Sequence, residues 1–156
     1  METVDRQKAA RVWERVQAQP QSQPVQRLEA KALLGLIAGE SADASAYLQL
    51  SRRFSGQQSA TLRNLYEQEQ SHVACLRGIY TLLTGEQPAV PEVQSRLEST
   101  GAALRRCYGR EMQCLAAYEA RRGDPEYGAV FARLAEKERE HCHILLTLLG
   151  SLPKGK

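Results

Sequence analysis

One arrangement of glutamate and histidine occurs twice in this sequence, once in each half. Each copy is a lone glutamate in an apolar stretch, followed at nearly the same separation by a Glu-x-x-His pair. The first copy is Glu40, Glu69 and His72, and the second is Glu111, Glu138 and His141. A glutamate and a histidine three residues apart lie on one face of an α-helix, where both can reach the same metal ion. The repeat therefore predicts a metal site built from six side chains on four helices.

Apolar residues recur at three- and four-residue steps around these six positions, which is typical of amphipathic helices. Residues 55–56, 85–91 and 123–125 contain the glycines and prolines that should separate the helices. Asp124 and the proline after it suit the start of a helix. The four predicted helices run from about Val25 to Phe54, from the break at residues 55–56 to about Thr84, from about Glu92 to the turn at Gly123, and from about Glu126 to Gly150.

The six positions lie at matching heights in the two predicted hairpins. Glu40 lies as far before Gly56 along the chain as His72 lies after it, and Glu69 lies one helical turn before His72. In the second hairpin, Glu111 and Glu138 lie at nearly equal distances on either side of Asp124, and His141 follows one turn later. Because the rise per residue of an α-helix is constant, the arms of each hairpin bring their glutamates and histidine to one level. We therefore predict an all-α fold, an antiparallel four-helix bundle made of two similar hairpins related by a pseudo-twofold axis.

A tyrosine follows each lone glutamate by seven residues: Tyr47 follows Glu40, and Tyr118 follows Glu111. A helix places each pair on one face, two turns apart. Two interpretations remain open for these tyrosines. They pack in the core with their hydroxyls satisfied, or they donate hydrogen bonds to carboxylates that bind the metal and so assist catalysis.

The N-terminal part of the chain is expected to form a separate segment. Apolar residues at helical spacing in residues 3–18, including Trp13, predict a short amphipathic helix. The glutamine-rich stretch after it contains Pro20 and Pro24 and predicts a linker. The domain organisation is thus an N-terminal helix and linker in residues 1–24, followed by the four-helix bundle in residues 25–153.

Composition excludes several classes of partner. The net charge is only +3, without a run of basic residues, so we expect no nucleic acid to bind. Neither a membrane span nor a signal peptide is recognisable, which predicts a cytoplasmic protein without a membrane partner. The four cysteines contain no Cys-x-x-Cys, which excludes a rubredoxin-type iron centre or a zinc ribbon. Cys107 and Cys114 each lie about one turn from Glu111, where they could take part in redox chemistry or simply be buried as small apolar groups.

Four carboxylates buried without compensation would cost several kcal/mol each. Two divalent cations would balance their charge, and two neutral imidazoles would complete a set of oxygen and nitrogen ligands. Such a set suits two iron ions, or manganese, better than zinc, which takes fewer ligands in a tetrahedron. We expect Glu69 and His72 to bind mainly one ion and Glu138 and His141 the other, while the bridging carboxylates cannot be assigned from sequence. The remaining polar residues of these helices are expected at the surface: Glu67, Glu136, Glu140 and His143.

The duplicated Glu, Glu-x-x-His pattern resembles the ferritin-like superfamily, and most closely the rubrerythrins, over about residues 25–150. This resemblance implies a di-iron centre that reduces hydrogen peroxide or dioxygen, or that oxidises Fe(II). Two features differ from rubrerythrins: the rubredoxin domain is missing, and Cys114 stands where rubrerythrins usually have a second glutamate. A chain without its own rubredoxin domain requires an external electron-donor protein.

The leading functional hypothesis is therefore a di-iron oxidoreductase that acts on peroxide or dioxygen. One alternative is a ferroxidase or iron-handling protein, which needs a closed hollow shell to store mineral, whereas we expect a homodimer. Another is a structural bundle that keeps metal for stability alone. A hydroxylase similar to the demethoxyubiquinone hydroxylases would need an exposed apolar surface, and the sequence contains no such stretch.

Overall fold

The structure is a computed structural model, which describes residues 28–89, 92, 96 and 98–154. Regular structure in these residues is entirely helical. The four helices are α1 (Ala30–Ser51), α2 (Gly56–Thr84), α3 (Thr100–Glu119) and α4 (Gly128–Ser151). Helix α1 packs along α2 and α3 along α4, and the two hairpins meet through contacts of α1 with α3 and of α2 with α4. The predicted four-helix bundle of two hairpins is confirmed. No helix in the described ranges is long and apolar enough to cross a membrane.

The turn between α1 and α2 is held by hydroxyl groups. The predicted end of the first helix at Phe54 is three residues too late, because the helix stops at Ser51. The Ser51 hydroxyl donates to the carbonyl oxygen of Leu48 at 2.7 Å, and the Ser59 hydroxyl donates to the carbonyl oxygen of Ser51 at 2.7 Å. These bonds satisfy carbonyl groups at the helix end. The predicted end of α2 at Thr84 agrees with the structure, and Gly85 ends the helix in a left-handed conformation with φ 75°.

Helix α3 begins later than the sequence suggested. Glu92 is not helical, and the first residue of the helix is Thr100. The guanidinium of Arg53 donates to the carbonyl oxygen of Glu98 at 2.6 Å, and Ser99 has a non-helical ψ of 151°. This hydrogen bond from the turn between α1 and α2 fixes the carbonyl group of Glu98, and the helix starts after the non-helical Ser99.

Helix α4 also starts two residues later than predicted, at Gly128. The carboxylate of Asp124 accepts hydrogen bonds from the backbone N–H groups of Glu126 at 2.9 Å and Tyr127 at 2.7 Å. These bonds close a separate turn before the helix. Gly128 is required at its start, since a Cβ atom there would lie 2.4 Å from the carbonyl oxygen of Arg122.

The predicted N-terminal helix and linker in residues 1–24 lie outside the described residues, as does Val25, the predicted start of the bundle. Leu28 and Glu29 are described and are not helical, so α1 begins later than predicted, at Ala30.

Two apolar clusters fill the bundle, one towards each end. The first lies near the turn between α1 and α2 and contains Ala46, Tyr47, Leu50, Leu62, Leu65, Ala103, Leu104, Cys107, Leu145 and Leu148. The second lies towards the other end and contains Leu28, Leu33, Ile37, Leu76, Ile79, Cys114, Tyr118, Phe131, Leu134 and Ala135. Along every helix, the polar residues of the repeated pattern fall between these two clusters. Both ends of the polar layer are therefore closed by packed apolar side chains.

Candidate metal centre

The structure brings all six residues of the repeated pattern together inside the bundle. The four glutamates and His141 have relative exposures of 0%, and His72 is 5% exposed. Each helix contributes from its middle: Glu40 from α1, Glu69 and His72 from α2, Glu111 from α3, and Glu138 and His141 from α4. Ionisable side chains are rarely buried so completely unless they are paired or bind a metal.

The six residues form two overlapping groups. One contains Glu40, Glu69, His72 and Glu138, and the other contains Glu69, Glu111, Glu138 and His141. Within each group, one oxygen or nitrogen atom of every residue lies within 4.8 Å of the others. Glu69 and Glu138 belong to both groups. The geometry thus singles out these two as the carboxylates able to bridge two ions, an assignment that the sequence left open.

Each histidine approaches the glutamate of the opposite hairpin most closely. His72 Nδ1 is 2.9 Å from Glu138 Oε1 but 3.4 Å from Glu69 Oε2, its partner in the Glu-x-x-His pair. His141 Nδ1 is 2.7 Å from Glu69 Oε1. The expectation that Glu69 and His72 bind mainly one ion, and Glu138 and His141 the other, stays a prediction, since each pair falls within one of the two groups. The close contacts between opposite hairpins add that each half of the centre depends on both hairpins.

Most of the inward-facing atoms have no hydrogen-bond partner among the described residues outside the six, so their near neighbours are one another. Eight buried atoms of the six side chains are in this state, and they include both oxygens of Glu69, both oxygens of Glu138 and Nδ1 of each histidine. A buried polar atom without a partner costs about 1–3 kcal/mol, and more when it is charged. Eight converging electron-pair donors satisfy one another poorly, but each of them could bind a cation. The cluster therefore fits metal ions.

The two imidazole rings stack with centroids 5.5 Å apart and planes inclined by 17°. Their surroundings differ on the outer side. His141 Nε2 lies 3.0 Å from Oε1 of Gln68, whose amide group in turn donates to Asn64. A hydrogen bond from Nε2–H leaves Nδ1 of His141 free to bind a metal. His72 has no such support from a described residue and is slightly exposed. Gln68 was not recognised from the sequence, since a glutamine beside a glutamate carries no distinctive signal.

Both tyrosines donate hydrogen bonds across the bundle. The hydroxyl of Tyr47 donates to Oε1 of Glu111, and that of Tyr118 donates to Oε1 of Glu40. Burial and the nearby carboxylates raise the pKa of each tyrosine far above its ordinary value, so both hydroxyls stay protonated and remain donors. The two bonds are related by the pseudo-twofold axis, and each leaves the second oxygen of its carboxylate facing the cluster without a hydrogen-bond partner.

The four carboxylates divide into two protonated and two ionised groups. Burial and a hydrogen bond to Glu40 raise the pKa of Glu69 well above its ordinary value. Burial and a hydrogen bond to Glu111 raise the pKa of Glu138 to about 12. Burial would also raise the pKa of Glu40 and Glu111, but hydrogen bonds from the partner glutamates, the neighbouring imidazoles and the tyrosines together outweigh it. The pKa of Glu40 is lowered, and that of Glu111 falls to about 2. In the metal-free protein, each protonated glutamate thus shares its proton with an ionised one: Glu69 with Glu40, and Glu138 with Glu111.

His72 faces three of these carboxyl groups. Burial alone would lower the pKa of its imidazole, but hydrogen bonding to Glu138, Glu40 and Glu69 raises it above its ordinary value. The metal-free centre therefore holds a proton at His72 that a metal ion has to displace.

Asp43 is a buried acid that the sequence analysis missed. It is 1% exposed and lies one turn after Glu40 on α1. Its Oδ1 accepts a hydrogen bond from Nε of Arg110 at 2.7 Å, and the same guanidinium also contacts it through a second nitrogen. Burial raises the pKa of Asp43 to about 7 despite this arginine. The available signal was its spacing of three residues from Glu40, which places both side chains on one helix face.

The cysteines beside Glu111 are buried. Cys107 is 0% exposed and Cys114 is 8% exposed. Burial raises the pKa of the Cys107 thiol to about 12 and that of Cys114 above its ordinary value, so both stay as unreactive thiols. This agrees with the interpretation as small apolar core residues. The residues predicted at the surface are exposed, namely Glu67, Glu136, Glu140 and His143.

No family model matches this sequence, and no curated protein matches it. Among solved structures, the chain is similar to Dps from Thermosynechococcus elongatus, with a TM-score of 0.52. The similarity covers 81% of this chain and 93% of the Dps chain, at 15% sequence identity. A likeness at this identity concerns the fold alone. Together with the four-helix architecture, it shows that this chain has the ferritin-like fold.

Proposed function

We propose that the protein is a di-iron oxidoreductase of rubrerythrin-like type, which reduces peroxide or dioxygen. One observation carries the proposal: two groups of four buried ligands overlap at Glu69 and Glu138. A single metal ion would not need two such groups. Two ions that share Glu69 and Glu138 would use all six residues, including Glu40 and Glu111 as one outer carboxylate on each side.

Charge supports the choice of metal. Two divalent ions carry four positive charges, which equals the charge of the four carboxylates once their protons are displaced. Four carboxylates and two imidazoles suit iron or manganese, whereas a structural zinc ion takes only four ligands. We propose iron, with manganese as the alternative, at both positions.

When bound, a pair of iron ions supplies the two electrons that reduction of peroxide to two water molecules requires. The residues of this chain orient the centre and handle protons. Tyr47 and Tyr118 hold Glu111 and Glu40 by one oxygen, so that the other oxygen faces inward. The apolar clusters at both ends limit the entry of water to the sides of the bundle. A centre protected in this way keeps its oxidising chemistry away from the rest of the protein.

The proposal includes an external electron-donor protein as the source of the electrons. In its support, no Cys-x-x-Cys in residues 1–156 could hold a second iron centre. The four cysteines are free thiols, as is usual in the reducing cytoplasm, to which we assign the protein.

A ferroxidase or iron-handling role is the second candidate. The observation in its favour is the difference between the histidines, since His72 is slightly exposed while His141 is closed off and supported by Gln68. An ion on the His72 side could therefore leave the centre after oxidation. In an oxidoreductase the iron stays bound and turns over, whereas in iron handling it is the substrate and is passed on.

Metal analysis of protein purified without chelators tests the proposal first. We expect about two iron ions per chain, and protein without metal under iron-replete conditions would overturn it. Repeated anaerobic reduction and addition of peroxide then separates the candidates. An oxidoreductase consumes peroxide in every cycle with its iron content unchanged and elutes as a homodimer from a sizing column. Iron handling predicts loss of iron from the centre and a large closed assembly. A structural metal would not react.

A further inference from the structure

A pocket on the side of the bundle reaches the centre at His72. It lies between α2 and α4 and is lined by Gln68, Ser71, His72, Cys75, Val130, Arg133, Leu134 and Lys137. His72 is the one residue of the six that is partly exposed, and it is one of the residues that line this pocket. His141 does not line it, and Gln68 stands between the pocket and His141 Nε2. The pocket therefore gives access to the His72 side of the centre.

The size of the pocket restricts what can use it. Its volume is about 240 Å³. Pockets for drug-sized ligands span about 300–1,000 Å³, while a water molecule occupies about 30 Å³. The space is therefore too small for a drug-sized ligand but can hold a small molecule together with several waters. Two other pockets of the described surface, one at Ser41 and Tyr66 and one at Gly78 and Leu82, contain none of the six residues.

The charge of the lining decides the type of molecule. Arg133 and Lys137 are its two permanently charged residues, and the lining contains neither aspartate nor glutamate. Lys137 pairs with Glu140 at 2.9 Å, which neutralises part of its charge. Arg133 has no ion pair with any described residue. A positive, small and partly polar pocket attracts anions and admits small neutral molecules, but it repels a hydrated metal cation.

We propose that this pocket is the entry and binding site for the small oxidant, with selectivity for small anionic or neutral molecules such as hydrogen peroxide, dioxygen and azide, and that metal ions enter elsewhere. This inference rests on the proposed di-iron function. It adds that the oxidant meets the centre on the side of His72 and not of His141. It also assigns Arg133 and Cys75, which lie outside the six-residue centre, to the path of the oxidant.

The first test fills the pocket and uses azide as a small anionic probe. Cys75→Trp places a large side chain in the pocket, and Ala74→Trp places the same side chain on the neighbouring exposed position, outside it. Both variants are loaded with iron, and azide binding is followed by visible absorption. We expect Cys75→Trp to slow azide association at least about tenfold at an unchanged iron content, and Ala74→Trp to behave as wild type. Equal rates in both variants would overturn the proposal.

The second test changes charge and does not depend on the first variant folding. Arg133→Glu should weaken azide binding about threefold to tenfold at low ionic strength, and by less in about 0.5 M salt. Arg63→Glu, an exposed position on α2 away from the pocket, carries the same change in net charge and should have no such effect. Equal azide affinities in the two variants would contradict the assignment of Arg133.

If wild-type protein takes up no iron, the proposed function fails and this inference fails with it. Iron-loaded protein that binds azide independently of the pocket overturns the inference alone.

Discussion

Tyr47 on α1 donates a hydrogen bond across the bundle to Glu111 on α3. The bond joins the two hairpins at the level of the candidate centre, and Tyr118 makes the equivalent bond to Glu40 in the opposite direction. Each lone glutamate is thus oriented by the tyrosine of the other hairpin. The orientation of these two carboxylates therefore depends on correct packing of the two hairpins against each other.

Replacement of Tyr47 by phenylalanine tests this arrangement. Loss of a hydrogen bond to a charged group should destabilise the metal-free protein by about 1.5–3 kcal/mol. The freed carboxylate should also bind metal about tenfold more weakly, since partners that orient metal ligands typically contribute 10–100-fold in affinity. Retention of iron during dialysis against a chelator measures the second effect. Tyr108→Phe is the control, because this half-buried tyrosine has no hydroxyl hydrogen bond among the described residues. Equal iron loss in both variants would show that the bond to Glu111 does not orient a ligand.

The histidines provide a separate prediction. His72→Ala removes a ligand from the group with Glu40, and His141→Ala removes one from the group with Glu111. Each replacement should lower the iron content from about two ions to about one per chain and abolish turnover with peroxide. Helical content by circular dichroism should persist, because both apolar clusters are untouched. Loss of helix with retained turnover would contradict this prediction.

The turn before α4 gives a prediction about the scaffold. Gly128→Ala should destabilise the protein by about 1–3 kcal/mol, because the added methyl group would lie 2.4 Å from the carbonyl oxygen of Arg122. Gly109→Ala is the matched control on an open helical surface, with nothing within 4 Å of its new Cβ atom. That variant should be more stable by about 0.5–1 kcal/mol. Denaturant unfolding of metal-free protein measures both, and similar stabilities would argue against the close approach.

The positions of the six residues along the bundle axis could be predicted from the sequence, because the rise per residue of an α-helix is constant. Their pairing could not be predicted in the same way. Which histidine meets which glutamate depends on the rotation of each helix about its axis, and the structure pairs His72 with Glu138 and His141 with Glu69. Helical spacing could indicate only that both groups face inward.

Long-range partners explain the other differences. Asp43 is buried because Arg110, far along the chain, reaches it from α3. The late start of α3 depends similarly on Arg53, which binds the carbonyl group of Glu98 from the first hairpin. Neither interaction leaves a periodic signal in the sequence. The sequence also makes the four glutamates equivalent, whereas their hydrogen bonds give Glu69 and Glu138 the raised pKa values.

The division of protons among the carboxylates predicts how stability changes with pH. A raised pKa means that the unfolded chain releases the proton at lower pH than the folded protein. The stability contributed by Glu138 is therefore fully present below its ordinary pKa of 4.5 and is lost as the pH rises towards about 12. Glu69 acts in the same direction. Glu111 acts oppositely, since its pKa is lowered to about 2 and its contribution is lost only as the pH falls from 4.5 towards that value.

Metal-free protein should therefore lose stability as the pH rises from about 5 to 8, within the window of Glu138 and Glu69. The raised pKa values of Asp43 and His72 act in the same direction over this range. Iron binding displaces the protons of the two glutamates and becomes tighter as the pH rises, so the difference in stability between loaded and metal-free protein should widen over the same range.

Glu69→Gln combined with Glu138→Gln replaces two protonated carboxyl groups by neutral amides. This double variant should show a flatter pH dependence and greater metal-free stability near pH 8, although it cannot hold two ions. Glu67→Gln with Glu136→Gln is the control, since it removes two exposed glutamates two residues away on the same helices. Thermal unfolding of all three proteins, with and without Fe(II) under anaerobic conditions, measures the slopes. A metal-free wild type whose stability rises with pH, as in a protein with solvated glutamates, would show that Glu69 and Glu138 are not the proton-holding pair and that the centre is not formed as described.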